Sequence, residues 1–269
     1  MPRIFRHDCQ MLEGAGHTTG SLPDADHAPA PSETYVRPKQ KPLVRFGKRM
    51  RDPVNAFLAR QSRVGTCPII DPANVPGLVE AGANWQALRA EVEPLLRNRD
   101  AIPPLGKISP DHRRIASGPS WKSFFFQGYG YHAKDNEACC PKIVEAIDQV
   151  PGVVVAFLSI MEPGTHVPQH RGLTKAWLNC HLPLKLPGTP GRCEIAIDGE
   201  IHRWREGEWL VFDDTFPHEV WNTTSDPRLV LFLQVRRDMR LPGRMLSSAI
   251  YHAIRHSSFV GDVKQAVGV

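Results

Sequence analysis

The chain has 269 residues, 41% of them hydrophobic and 23% charged, and a formal net charge of +5. That is enough apolar material for one good-sized core plus a tail, and no run of about eighteen apolar residues marks a membrane-spanning helix. The N-terminus MPRIFRHDCQMLEGAG has basic residues but no apolar core of a signal peptide, so a cytoplasmic protein is expected. Six cysteines at irregular positions, with Cys139 and Cys140 adjacent and no C-x-x-C pair, read as reduced thiols rather than a disulfide framework or zinc knuckle.

Residues 1–42 mix Gly, Pro, Ser, Asp and His without apolar periodicity and read as a flexible tail, its histidines His7, His17 and His27 as solvated side chains. Residues 43–74 read as a basic linker or N-terminal extension. From Thr34 to Arg51 there are seven basic residues and no acidic one. Such a run can dock on an anionic membrane surface, and Leu43, Phe46 and Met50 fall near one helical face among these charges. No aromatic-rich basic platform accompanies it, which argues against nucleic acid. A catalytic domain is expected over 75–245 and a C-terminal segment over 246–269.

Within the domain, Trp85, Leu88, Val92, Leu95 and Leu96 keep helical spacing, with Asn84 as N-cap. A short helix is expected after Pro141, with Ile143, Val144 and Ile147 inward. Between them, WKSFFFQGYGYH supplies Trp121, Phe124, Phe126 and Tyr129 to a core or cleft wall. From Val153 to about residue 236 the period is two. Val155, Phe157, Ser159 and Met161 share a face, as do Trp177, Asn179 and His181, and again Arg228, Val230 and Phe232. CEIAIDGEIHRW is a hairpin turning at Asp198-Gly199. Short strands without intervening helices predict a mainly β protein, a jelly-roll or cupin-like barrel braced by N-terminal helices.

His170 and His218 flank the hairpin-rich span, and Arg228 follows ten residues after His218. Two imidazoles with open coordination positions suit non-haem Fe(II), and an arginine's planar fork suits a distal carboxylate. His166 and His170 have the spacing of a helical zinc pair, but Pro163, Gly164 and Pro168 exclude a helix there.

PGTHVPQHRG at 163–172, HLPL at 181–184, GEWLVFDDTFPHEVWN at 207–222 and Arg228 resemble the Fe(II)/2-oxoglutarate-dependent aspartyl/asparaginyl β-hydroxylases, and the likeness extends over residues 75–240. The resemblance implies a double-stranded β-helix, iron on His170 and His218, and oxidative decarboxylation of 2-oxoglutarate coupled to hydroxylation by O2. It places Arg228 and Ser159 on the far carboxylate, His181 near the metal end, and Trp121 and Asn179 beside the cosubstrate. Gly172 stands where most 2-oxoglutarate oxygenases carry an Asp or Glu ligand, which leaves water or halide for the third position. Gly172→Asp is therefore expected to be tolerated by the fold, and Asp213 and Asp214 to play a structural or supporting role. The prime substrate is read as a peptidyl, amino-acid or other small organic molecule, with a lipid acyl chain, or a non-catalytic or other metal-binding cupin, as alternatives. Trp177 and Asn179 stand where the peptidyl hydroxylases carry arginines, which weakens the case for an acidic side chain as substrate.

Overall fold

The computed structural model describes residues 42–108, 120–257 and 260–261, with backbone alone over 42–49 and at 108. The expected tail, its histidines and most of the basic run lie outside the described residues or their side chains. The helices are α1 (Pro42–Gln61), α2 (Leu78–Gly82), α3 (Trp85–Arg97), α4 (Leu105–Ile108), α5 (Lys134–Cys139), α6 (Pro141–Asp148) and α7 (Leu241–Arg255). The strands are β1 (Ile69–Ile70), β2 (Trp121–Gly128), β3 (Tyr131–His132), β4 (Val153–Met161), β5 (Thr165–His170), β6 (Trp177–Lys185), β7 (Cys193–Ile197), β8 (Glu200–His202), β9 (Leu210–Phe212), β10 (His218–Asn222) and β11 (Arg228–Arg236).

Two antiparallel sheets face each other, a seven-stranded one ordered β1-β9-β6-β11-β4-β2-β3 and a four-stranded one ordered β5-β10-β7-β8. From β4 to β7 the chain alternates between them strand by strand, and from β8 to β11 it does so again. This is the double-stranded β-helix expected from the sequence. The β7–β8 hairpin turns at Asp198 and Gly199, whose φ values of 52° and 89° are those of the Asp-Gly pair.

The period-two strands of the larger sheet divide their side chains cleanly. One face, including Leu158, Ile160, Cys180, Leu182, Leu231 and Leu233, packs with Leu88, Val92 and Leu96 of α3 and Ile143 and Ile147 of α6. Each such aliphatic side chain withdrawn from water contributes about 1.5–3 kcal/mol before the cost of ordering the chain. The other face looks into the barrel and carries the polar residues Ser159, Asn179, His181 and Arg228, all buried. Its register brings Ser159 opposite Val230, and Phe232 opposite His181.

Local details depart from expectation in four places. Asn84 does precede α3 but makes no side-chain cap bond. In α6 the third buried residue is Ala146 rather than Val144. A bulge between Phe125 and Gln127 turns Phe125 toward Phe157 while Phe126 packs beneath the helices, a break in alternation that sequence period alone does not show. Cys139, Cys140, Cys180 and Cys193 are free thiols, but Cys67 is held in a disulfide, so not all the cysteines are reduced.

Candidate active site

His170 ends β5, His218 begins β10, and the two are direct register partners across the smaller sheet. Their rings lie 4.1 Å apart between centroids, inclined by 55°, near enough to share one ion. Each Nδ1 sits against the backbone carbonyl two residues earlier, His170 on Pro168 at 2.9 Å and His218 on Phe216 at 3.0 Å. When Nδ1–H donates there, Nε2 carries the lone pair, the tautomer a metal ligand requires. Burial, then the neighbouring His170, pushes His218 down to about 4, so it is neutral and available as a ligand at physiological pH.

Arg228 lies at the start of β11, buried to 2% exposure. Its Nη2 donates to Ser159 Oγ at 3.0 Å, and Trp121 Nε1 donates to the same oxygen at 3.0 Å. With both acceptor positions of the hydroxyl taken, its own proton is left to donate. The guanidinium lies 4.5 Å over the Trp204 ring. No carboxylate among the described residues pairs with it, and its Nε is buried without a hydrogen-bond partner. Burial lowers its pKa to about 10, which still leaves it cationic at neutral pH. His181 adjoins this cation: burial, then Arg228 and His218, drive its pKa well down, and its Nδ1 is buried and unsatisfied. Phe212, Phe232 and Trp204 enclose the His181 ring, with centroids at 5.1, 5.2 and 6.0 Å.

Asp213 and Asp214 have contrasting surroundings. Asp213 is fully buried, with Oδ2 held by Lys175 Nζ and Arg237 Nη2 at 2.6 Å each, and Oδ1 by the amide and hydroxyl of Thr215 at 3.0 and 2.6 Å. It is saturated and free to do nothing else. Asp214 accepts only a long bond from Asn179 Nδ2 at 3.4 Å, and its Oδ1 is unsatisfied. Burial and the Asp213 charge push its carboxyl up to about 7. Its carboxyl occupies the space that a side chain on residue 172 would take: a Cβ there would stand 2.1 Å from the Asp214 carboxyl carbon. The Gly172 amide also donates to the Asp214 carbonyl at 2.6 Å. This corrects the expectation that Gly172→Asp leaves the fold undisturbed, because Asp214 already fills the site. Glycine is needed here for room, not for a positive φ.

The fold thus brings His170, His218, His181, Arg228, Ser159 and Trp121 to one interior. Asn179 stands apart from the Arg228 end, its Oδ1 bound by Gln234 Nε2 at 3.1 Å and its Nδ2 turned to Asp214. His166 is excluded from the pair, since it bonds Glu219 at 2.6 Å and stacks on Trp221. Trp204 and Phe212 were not foreseen. Trp204 follows β8 with no periodic signal, while Phe212 lies in GEWLVFDD without any mark of its inward direction. Among the described residues no group of three or more His, Cys, Asp or Glu is arranged to hold one ion. The donors present nevertheless fit a metal on two imidazoles and an organic anion at Arg228, whose buried charge otherwise goes uncompensated.

The chain is similar to known proteins over most of its length. An "Ornithine lipid ester-linked acyl 2-hydroxylase" of Rhizobium tropici is 31% identical, over 88% of this chain and 87% of its own length. The human "Aspartyl/asparaginyl beta-hydroxylase" is 31% identical over 56% of this chain, which spans only 20% of that longer protein. Among solved structures, a prolyl-4-hydroxylase of Pseudomonas putida aligns with 70% of this chain and all of its own, at 20% identity and a TM-score of 0.37, too distant to add to the topology above. The aspartyl/asparaginyl beta-hydroxylase family model matches residues 82–238. The chain belongs to the aspartyl/asparaginyl β-hydroxylase family, enzymes of the 2-oxoglutarate-dependent dioxygenase class.

Proposed function

We propose that this protein hydroxylates a lipid acyl chain using Fe(II) and 2-oxoglutarate. His170 and His218 would hold the iron through Nε2, each ring fixed by its carbonyl contact. Arg228 would grip the far carboxylate of 2-oxoglutarate, its plane set by Trp204 and its Nη2 by Ser159, whose hydroxyl proton adds a second donor. Bound iron and 2-oxoglutarate supply the oxidising power to place one atom of O2 in a substrate C–H bond and the other in succinate, with CO2 released. The protein's own task is to orient both reactants and keep water out. Phe212, Phe232 and Trp204 seal the ground around His181, and Trp121 holds the Ser159 hydroxyl still.

The observation that carries the choice of substrate is the apolar inner wall beyond His181. Phe125, Ala133 and Phe157 are buried together there, with Val155 and Phe232 packed against them. Phe157 and Phe232 stack at 4.5 Å between centroids. Such a wall suits a hydrocarbon chain, and Trp177 and Asn179, in place of cations, offer no counter-charge for an acidic side chain. The likeness to the acyl 2-hydroxylase over nearly the whole chain supports the same substrate class over the peptidyl reading first favoured. The test is incubation with an ester-linked acyl lipid carrying an ornithine headgroup, iron and 2-oxoglutarate. The expected product has gained one oxygen on its ester-linked acyl chain, with equimolar succinate. Succinate release stimulated by an aspartyl or asparaginyl peptide and not by the lipid would overturn the assignment.

A further inference from the structure

We propose that the outer face of the α1–α7 helix pair is a docking surface for an anionic lipid bilayer, and that it brings the mouth of the active site to the membrane. The proposal rests on the lipid reading for its purpose, but its evidence is separate. α1 and α7 pack closely: a Cβ on Gly243 would stand 2.5 Å from the Gln61 Cβ, and the Arg240 amide donates to the Gln61 carbonyl at 2.9 Å. Their inner faces bury Leu58 with Val54, Leu246 and Ile250 against Met239 and Trp177. Their outer faces keep apolar side chains in water, with Met50 and Phe57 at 39% and 38% exposure on α1 and Leu241 and Met245 at 61% and 66% on α7. Spacings of seven and four residues put each pair on one side of its helix. On another side of α1, the buried Asn55 grips the Leu173 carbonyl at 3.2 Å and the Lys175 amide at 2.9 Å. Of the six large hydrophobics exposed among the described residues, four lie on these two helices, so exposure is concentrated here rather than scattered.

Charge selects the partner. The two helical sequences carry seven basic side chains (Arg45, Lys48, Arg49, Arg51, Arg60, Arg244, Arg255) against the single acid Asp52, a net +6. The whole chain carries +5, so everything outside these helices sums to −1. Exposed apolar side chains on helices whose sequences carry this net positive charge match the acyl boundary and headgroups of an anionic membrane. The link to function is short. Leu173 and Gly172 lie on the segment that leaves His170, so the helix meeting the bilayer also anchors the loop at the metal site. A lipid could then enter the barrel chain-first without leaving the interface.

The test is sedimentation of the full chain with vesicles of phosphatidylglycerol and phosphatidylcholine, or of phosphatidylcholine alone. We expect binding to the anionic vesicles only, weakening as salt rises. Leu241→Glu/Met245→Glu should lower the partition coefficient at least about tenfold, since two apolar contacts become two repelled anions. Both side chains are exposed, so the melting temperature and lipid-free 2-oxoglutarate turnover of the variant should match wild type. Absence of vesicle binding, equal binding to neutral vesicles, or binding indifferent to the double substitution would overturn the proposal. So would a dimer in solution that the substitutions dissociate, which would assign the face to a second copy. Vesicle binding without acyl oxygenation would leave docking standing and remove only the lipid-substrate reading.

Discussion

Two buried charges a few strands apart have opposite environments. Asp213 is enclosed by Lys175, Arg237 and Thr215, with both oxygens satisfied. Arg228 is equally inaccessible, yet it has a hydroxyl, an indole face and an unsatisfied Nε in place of an anion. A charge desolvated with its partners supplied belongs to the architecture. One desolvated without a counter-charge is costly unless something brings the counter-charge to it. The contrast separates what holds the barrel from what the barrel is for.

The largest expected effect lies on the architectural side. Arg237→Met leaves Asp213 short of a partner in a fully buried setting, and should cost about 3–5 kcal/mol in urea denaturation. A cost under about 1 kcal/mol would mean that the cluster is not what fixes the turn before His218. Gly172→Ala comes next, at about 1–3 kcal/mol, because the methyl group must displace the Asp214 carboxyl. The same change in an Asp214→Ala background should cost much less. Additive losses in that double-mutant cycle would contradict the steric account.

A further effect is on pH dependence, best measured on metal-free protein. Asp214 has its carboxyl raised from an ordinary 3.8 to about 7, so between those values the folded state keeps a proton that the unfolded state has released. The contribution is present below pH 3.8, declines as pH rises through that window, and is fully lost above about 7. Asp214→Asn should remove that decline and be relatively more stable at pH 8 than at pH 4 when compared with wild type. A wild-type profile that rises across the window, with no difference in the variant, would show Asp214 ionised in the folded state.

Much of this barrel was legible because alternation is a strong signal. The period-two runs at 153–161, 177–185 and 228–236 separate Ser159, His181 and Arg228 from the leucines behind them, and the structure keeps that division. The juxtaposition of His170 with His218 was suggested by their layout around the hairpin-rich span and by motif, not by strand periodicity, since β5 contains a proline and its burial does not alternate strictly. Trp204 on Arg228 and the Asp214 carboxyl beneath Gly172 were not legible. Each contact joins a loop to a segment distant in sequence, and neither periodicity nor turn chemistry constrains the loop side chain. The bulge at Phe125 was hidden for a related reason, because an extra residue leaves no compositional mark.

The central claim, that Arg228 is a cation awaiting a carboxylate, is tested most directly by titrating iron-loaded wild type and Arg228→Met with 2-oxoglutarate while measuring unfolding in parallel. The account predicts affinity lower by about tenfold or more, the worth of a charge-assisted hydrogen bond, with iron binding retained and stability unchanged or raised as an unpaired buried charge is removed. Unchanged affinity for 2-oxoglutarate, together with a stability loss like that of Arg237→Met, would make Arg228 one more strut of the barrel and contradict the account.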